Sequence, residues 1–314
     1  MNRQAAFFAV TAVALLLLPL VIKSDVVMTI LVFAWLQGML AVSFNLIFGF
    51  TGQLSMFHAA AFGIAGYATH LSMQHLGVGY WTGTVLGALL VSLLSVIVGT
   101  ICFRFRLKEF YFAVVTLAFS EVARITVVNW NSVTNGTLGI NLQEKPWLFG
   151  FKVDDTVSWY YLSLVALAVT LLVCSRVVHS WMGRCFSAIR LNDELGDTLG
   201  INVFRYKLAA FVVGNFIAAV AGSLYAYYLG SIEPGFLSID ASLGIVAMVL
   251  LGGRSSVLAP VAGAVLLTAL PHLIHFSAEV RSIVYGSILI LTILLMPQGI
   301  YGSVAQLLRK RHAA

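Results

Sequence analysis

The chain reads as an all-α polytopic integral membrane protein of about ten transmembrane helices, with broken helices and an internal repeat. Three observations carry that reading. Of its 314 residues, 60% are hydrophobic and only 10% charged, against roughly 25% charged in a soluble globular chain. Apolar runs of about 20 residues, long enough to cross the hydrocarbon core, recur from end to end. The net charge of +6 is gathered into a few short segments. That is the pattern of topology signals and not of a nucleic-acid-binding face.

The first run, AAFFAVTAVALLLLPLVI at 5–22, follows Arg3 and exits through KSDVV. That exit lacks a small-residue cleavage site, so a retained helix is expected in preference to a removed signal peptide. Further spans are expected near 26–50, 54–74, 82–103, 110–130, 156–178, 208–230, 257–275 and 281–297. A run at 240–251 is too short to establish a crossing by length alone. Counting it gives ten spans; fusing it with 257–275 as one broken helix gives nine. No linker rich in Pro, Ser or charge divides the chain, so residues 1–314 are expected to form a single transmembrane domain.

Three basic clusters set the orientation: Arg104, Arg106 and Lys108; the segment from Arg176 to Lys207; and Arg309, Lys310 and Arg311. The positive-inside rule places all three, and in the ten-span count both termini, in the cytoplasm. The mixed segment 131–155 then falls outside. Cys102, Cys174 and Cys185 form no pattern of a disulfide frame or metal site and read as small apolar fillers.

NLIFGFTGQLSMFHAAAFGIAGY (45–67) interrupts its own apolar run with Gly49, Gly52, Gln53, Ser55 and His58. Unpaired polar backbone survives at membrane depth only where protein or a water-filled cavity satisfies it. The stretch therefore reads either as a helix break facing a cavity or subunit, or as an ordinary inner turn. His58 reads as a packing residue in preference to a ligand. LLGGRSSVLAPVAGAVLL (250–267) repeats the pattern through Gly252, Gly253, Ser255 and Ser256. Gly52, Ser55, Ala59 and Gly63 match Gly252, Ser255, Ala259 and Gly263 at one offset. Transporters are often built from such repeats; the ten-span count makes these two parallel, not inverted.

Glu121 and Arg124 lie three apart in a predicted span, on one helix face. Intramembrane charges should face inward and pair, so a local ion pair bracing neighbouring helices is favoured over a free charge lining a pathway. Gly83 and Gly87, and Gly214, Ala218 and Gly222, carry the four-residue spacing of small residues that lets helices approach closely in lipid. His272 and His275 lack a third ligand, and no metal site is expected. The chain carries no phosphate-binding G-x-x-x-x-G-K-[ST], no H-E-x-x-H and no G-x-S-x-G. Neither ATP binding of the P-loop kind nor hydrolytic catalysis is expected, and no cofactor.

The inner segment 179–207 is too polar to insert. Asn192–Leu199 is helix-capable, and Gly200 stands where a C-cap would sit. A short helix there suits docking by a soluble partner. The run from Ala188 to Phe211, AIR-x-N followed by LGIN and RYKL-x-AF, resembles the coupling segment of permease subunits of ABC importers for branched-chain amino acids, specifically the longer of two paralogous permeases. NLIFGFTGQLSMFHAAAFGIAGY, LAFSEVARITVVNWNSVTNGTLGI (117–140), LLGGRSSVLAPVAGAVLL and MPQGIYG (296–302) resemble that family's other blocks in the right order. The chain departs from the pattern at Leu191 and Gly196, where an acid and an alanine are usual, and at Asn135, which replaces a glycine but tolerates a left-handed conformation.

The resemblance implies a subunit of the bacterial inner membrane that catalyses nothing itself. Its implied partners are a second paralogous permease in a heterodimer, two cytoplasmic ATPase subunits, an extracytoplasmic substrate-binding protein, lipid and a small-molecule substrate. It assigns ATPase coupling to Arg190, Asn192, Asp193, Glu194, Asp197, Leu199 and Gly200, and a translocation pathway to Gln53, Ser55, His58, Ser255 and Ser256. It assigns a binding-protein-facing loop to Thr134, Asn135, Gly136 and Gly139. The expected function is inward transport of branched-chain or related small amino acids. The alternatives are an ABC permease for urea or a short amide, and a secondary transporter, which would favour an unpaired intramembrane carboxylate.

Overall fold

The computed structural model describes residues 13–22, 24–142, 145–148 and 151–273, with positions 286, 287, 290, 299, 300 and 302. The expected span at 281–297, the MPQGIYG block, His275 and the C-terminal basic cluster lie, wholly or largely, outside the described residues. So does the parity of the crossings.

Residues 13–21 form α1. There follow α2 (Asp25–Thr51), α3 (Phe57–Leu76), α4 (Tyr80–Arg104) and α5 (Glu109–Asn129), then a short turn of helix, α6 (Asn131–Thr134). Beyond three two-residue strands come α7 (Thr156–His179), α8 (Trp181–Leu191), α9 (Asp193–Thr198) and α10 (Val203–Leu229). The described chain closes with α11 (Ile239–Gly252) and α12 (Ala259–Leu273). Five of these helices, α2, α4, α5, α7 and α10, are long and apolar enough to cross a membrane. The observed bounds track the expected spans closely. The exception is α10, which starts at Val203 and not near 208, because the Asn202 side chain accepts the Arg205 N–H at 3.0 Å and caps a polar first turn.

α2 is the central helix, packed against α7, α10 and α12, while α3 packs against α4 and α10. Small residues make the close crossings. A Cβ on Gly83 or Gly87 would lie 3.0 Å from the Thr69 or Ala65 carbonyl of α3. Gly214 meets Ser43 and Ile47 of α2, and Gly222 meets the Phe62 backbone of α3. Both stripes of small residues are thus used inside the subunit. Away from the core, Leu89 and Leu93 of α4, Val122 and Ile125 of α5 and Val165, Val169 and Leu172 of α7 are exposed, an apolar surface suited to lipid.

The ends sort onto two sides. The α2 terminus, the α4–α5 link, α8, α9, the start of α10 and the 253–258 loop share one side, which carries the basic residues. On the other, β1 (Ile140–Asn141) pairs antiparallel with β4 (Ser231–Ile232), and β2 (Trp147–Leu148) with β3 (Phe151–Lys152). α11 is a helix in its own right, but its 14 residues span only about 21 Å at 1.5 Å each. It does not need to cross alone, because the link before it dips beside α3. There Ile232 packs on Gly66 and Leu237 on Gly63, and the Ser242 hydroxyl donates to the Met56 carbonyl at 3.2 Å. α2 and α11 both end on the basic side, so the two broken units run parallel.

Candidate translocation and coupling site

The first break is closed by backbone chemistry. Gly52 takes a left-handed conformation (φ 77°), its N–H and that of Gln53 turning back to the Ile47 carbonyl, as in a Schellman-type cap. The Ser55 hydroxyl then accepts the Phe57 N–H at 3.2 Å and starts α3. Between them the Met56 N–H donates to Thr116 Oγ1 of α5 at 3.0 Å. Gln53, Ser55 and His58 are all buried. His58 Nε2 stands 3.4 Å from Ser43 Oγ, with its ring edge-on to Phe44. Among the described residues Gln53 Oε1 and His58 Nδ1 have no hydrogen-bond partner.

The second break turns on Gly253, whose φ of 116° and ψ of 143° suit glycine alone. Gly252 beside it crosses the Ala259 carbonyl closely. The two breaks are stitched together: Asn45 Nδ2 of α2 donates to the Ser256 carbonyl at 3.1 Å, and the Arg254 carbonyl approaches Gly49. Ser255 and Ser256 nonetheless face a groove of about 880 Å³ shared with Phe50, Leu171 and His179. The five expected pathway side chains therefore do not share one surface.

On the basic side, Asn192 ends α8 and caps α9, its Oδ1 accepting the Glu194 N–H at 2.9 Å. Gly200 (φ 75°) closes α9, as its place in the sequence foretold. Leu191, Leu195 and Leu199 are 80%, 45% and 65% exposed. Two ion pairs brace the knob they form. Asp193 pairs with Lys207 of α10 at 2.5 Å, and Asp197 with Arg106 of the α4–α5 link at 3.2 Å. Arg190 lies beside Gly52, so the knob also abuts the first break. Burial, with the like charge of Arg190 adding to it, lowers the Arg254 guanidinium from its ordinary range, and Glu109 opposes the shift.

Glu121 and Arg124 form the expected pair within α5, with Arg124 Nε 2.9 Å from Glu121 Oε2. On the opposite side, Thr134 is buried and donates to the Val127 and Trp130 carbonyls. Asn135 is left-handed (φ 59°), with its amide donating to the Gly139 carbonyl at 2.8 Å. Gly136 and Gly139 complete the turn, and Leu138 stands 84% exposed at its tip.

Sequence reasoning missed a cavity of about 560 Å³ bounded by α2, α3, α10, α11 and the dipping link. Gln37, Glu233, Ser238 and Asp240 give it polar groups; Leu40, Phe62, Tyr225 and Met248 line it with apolar surface. Gln37 Oε1 is buried without a hydrogen-bond partner among the described residues. Among the described residues neither carboxylate has an ion-pair partner. The signal available was SIEPGFLSID (231–240), with two acids between two apolar runs.

Comparison with known proteins gives these features a setting. LivM of Escherichia coli, a high-affinity branched-chain amino acid transport system permease protein, is 27% identical over 298 residues, covering 88% of this chain and 70% of LivM. The LivM of Salmonella typhimurium is 28% identical, with 83% and 66% covered. The chain thus spans about two thirds of the length of both. LivH of Escherichia coli, a permease protein of the same description, is 25% identical over 286 residues, covering 84% of this chain and 91% of LivH. Residues 26–293 match the family described as the branched-chain amino acid transport system permease component. Because that match begins with α2, runs past α12 and takes in both breaks and the braced knob, the chain belongs to that permease family.

Proposed function

We propose that this multi-pass protein is one permease subunit of an ATP-driven importer that moves branched-chain or related small amino acids into the bacterial cytoplasm. The observation that carries the reading is the braced knob. Three exposed leucines, Leu195 on the short capped helix α9 and Leu191 and Leu199 flanking it, form a surface that a soluble protein can grip. The two ion pairs tie that surface to α10 and to the α4–α5 link. Two ATPase subunits that close on ATP would push there, on Asp193–Gly200, and the braces would pass the displacement into the spans. A second paralogous permease completes the pathway, and a substrate-binding protein seats on the outer turn around Thr134–Gly139. The glycine-closed breaks, with Gln53, Ser55 and His58 in one and Ser255 and Ser256 in the other, are where the helices yield.

One observation favours a second reading, a transporter driven by an ion gradient: among the described residues Glu233 and Asp240 are carboxylates without ion-pair partners, as such proteins use. Uptake by cells separates the two. Depletion of ATP stops the importer, whereas an uncoupler at constant ATP stops the ion-driven transporter. Strict dependence on a separately added binding protein supports the importer, and uphill transport by this chain alone in liposomes rules it out. Comparing leucine with urea and short amides in the same assay decides the solute.

A further inference from the structure

We propose that the cavity bounded by α2, α3, α10 and α11 is a station on the permeation route that receives the ammonium group of an α-amino acid, with Glu233 and Asp240 as its charged partners. The proposal deepens the transport reading above and rests on it.

Depth is the first argument. The Glu233–Asp240 stretch runs beside the first ten residues of α3, held there by Ile232 against Gly66 and Leu237 against Gly63. Asp240 lies two residues before Ser242, which bonds the Met56 carbonyl at the very start of α3. α3 has 20 residues, so its far end at Leu76 is about 30 Å away along the helix. Both carboxylates are exposed in this subunit. A bare carboxylate at such depth does not face lipid; it faces water or a binding partner.

Chemistry is the second. An ammonium group has three N–H donors. The cavity offers it two carboxylates, with Gln37 of α2 in the wall beside them; the Gln37 Oε1 acceptor, itself buried, has no hydrogen-bond partner among the described residues. Phe62, Tyr225 and Met248 give an aliphatic side chain an apolar wall. The volume of about 560 Å³ falls within the range of small-molecule sites. An anionic solute would meet like charge from both carboxylates, and an uncharged apolar one would leave them without a counter-charge.

The test uses the whole transporter, this chain with its second permease, ATPases and binding protein, in proteoliposomes supplied with ATP and L-leucine. Glu233→Gln together with Asp240→Asn should lower leucine moved per ATP hydrolysed by about tenfold or more, with hydrolysis stimulated by the binding protein within about twofold of the parent. Leucine transport at the parental yield per ATP overturns the proposal and leaves the transport reading standing. Failure of the unmodified complex to move any amino acid sinks that reading first, and the proposal with it. A binding assay on the unmodified, nucleotide-free complex without binding protein avoids any folding defect. Unlabelled leucine should displace bound tritiated leucine, and 4-methylpentanoate, the same skeleton without the amine, should not. Equal displacement by both, or no leucine bound, overturns the proposal.

Discussion

Lys207 is only 4% exposed, and its ion-pair partner among the described residues, Asp193, is half exposed. Two substitutions separate what this pair does for folding from what it does for transport. Asp193→Asn leaves a buried ammonium facing a neutral group, and should cost about 1–3 kcal/mol, read as a lower unfolding midpoint of the purified permease in detergent. Lys207→Met removes the desolvated charge and keeps the aliphatic stem, which is often nearly neutral for stability. It also cuts the brace between α9 and α10, so ATP hydrolysis should continue while leucine uptake falls. Unchanged uptake by Lys207→Met would remove the brace from the coupling path. Ser55 supplies the matching test at the first break. It is buried in this conformation, and a cysteine there should react with maleimide in only one of the nucleotide-free and ATP-trapped states. Protection in both would show that the break never opens.

At the scale of elements, α9 depends on a cap that proline cannot tolerate. The Leu199 N–H bonds the Leu195 carbonyl at 3.2 Å, and a proline there loses that bond and clashes with the preceding turn. Leu199→Pro should abolish uptake while leaving membrane insertion, measured by fractionation, intact. Close helix crossings make a contrasting prediction about folding. A Cβ on Gly222 already falls about 2.0 Å from the Phe62 carbonyl, so Gly222→Leu should cost at least the 1–3 kcal/mol typical of overpacking and reduce the yield of monodisperse protein. Such elements were legible in the sequence because their causes are local. A glycine after a polar helical run closes α9 at Gly200, and an asparagine in a glycine's place turns left-handed at Asn135. A repeated spacing of small residues marks the breaks of α2 and α11. The dipping link was not legible. SIEPGFLSID has the composition of an outer loop, and only its packing against Gly63 and Gly66 draws it down into the bundle.

For the whole molecule, family and fold followed from composition and the order of motifs, whereas the grouping of site residues did not. The buried set of Gln53, Ser55 and His58 and the groove-facing pair of Ser255 and Ser256 look alike in sequence, since both are polar residues among glycines. Only the three-dimensional crossing of α2, α11 and α12 separates them. Sidedness is testable on intact cells. A cysteine at the 84%-exposed Leu138 should react with an impermeant reagent from outside. One at the 80%-exposed Leu191 should react only after permeabilisation, and the reverse pattern would invert the orientation. One last feature ties the two faces of this picture together. Ile140 and Asn141, just past the exposed turn, are laddered onto Ile232 and Ser231, the residues immediately before Glu233. If the proposed delivery protein presses on that turn, it tugs the very ribbon from which the acidic chamber hangs, and landing and unlatching would become one mechanical event.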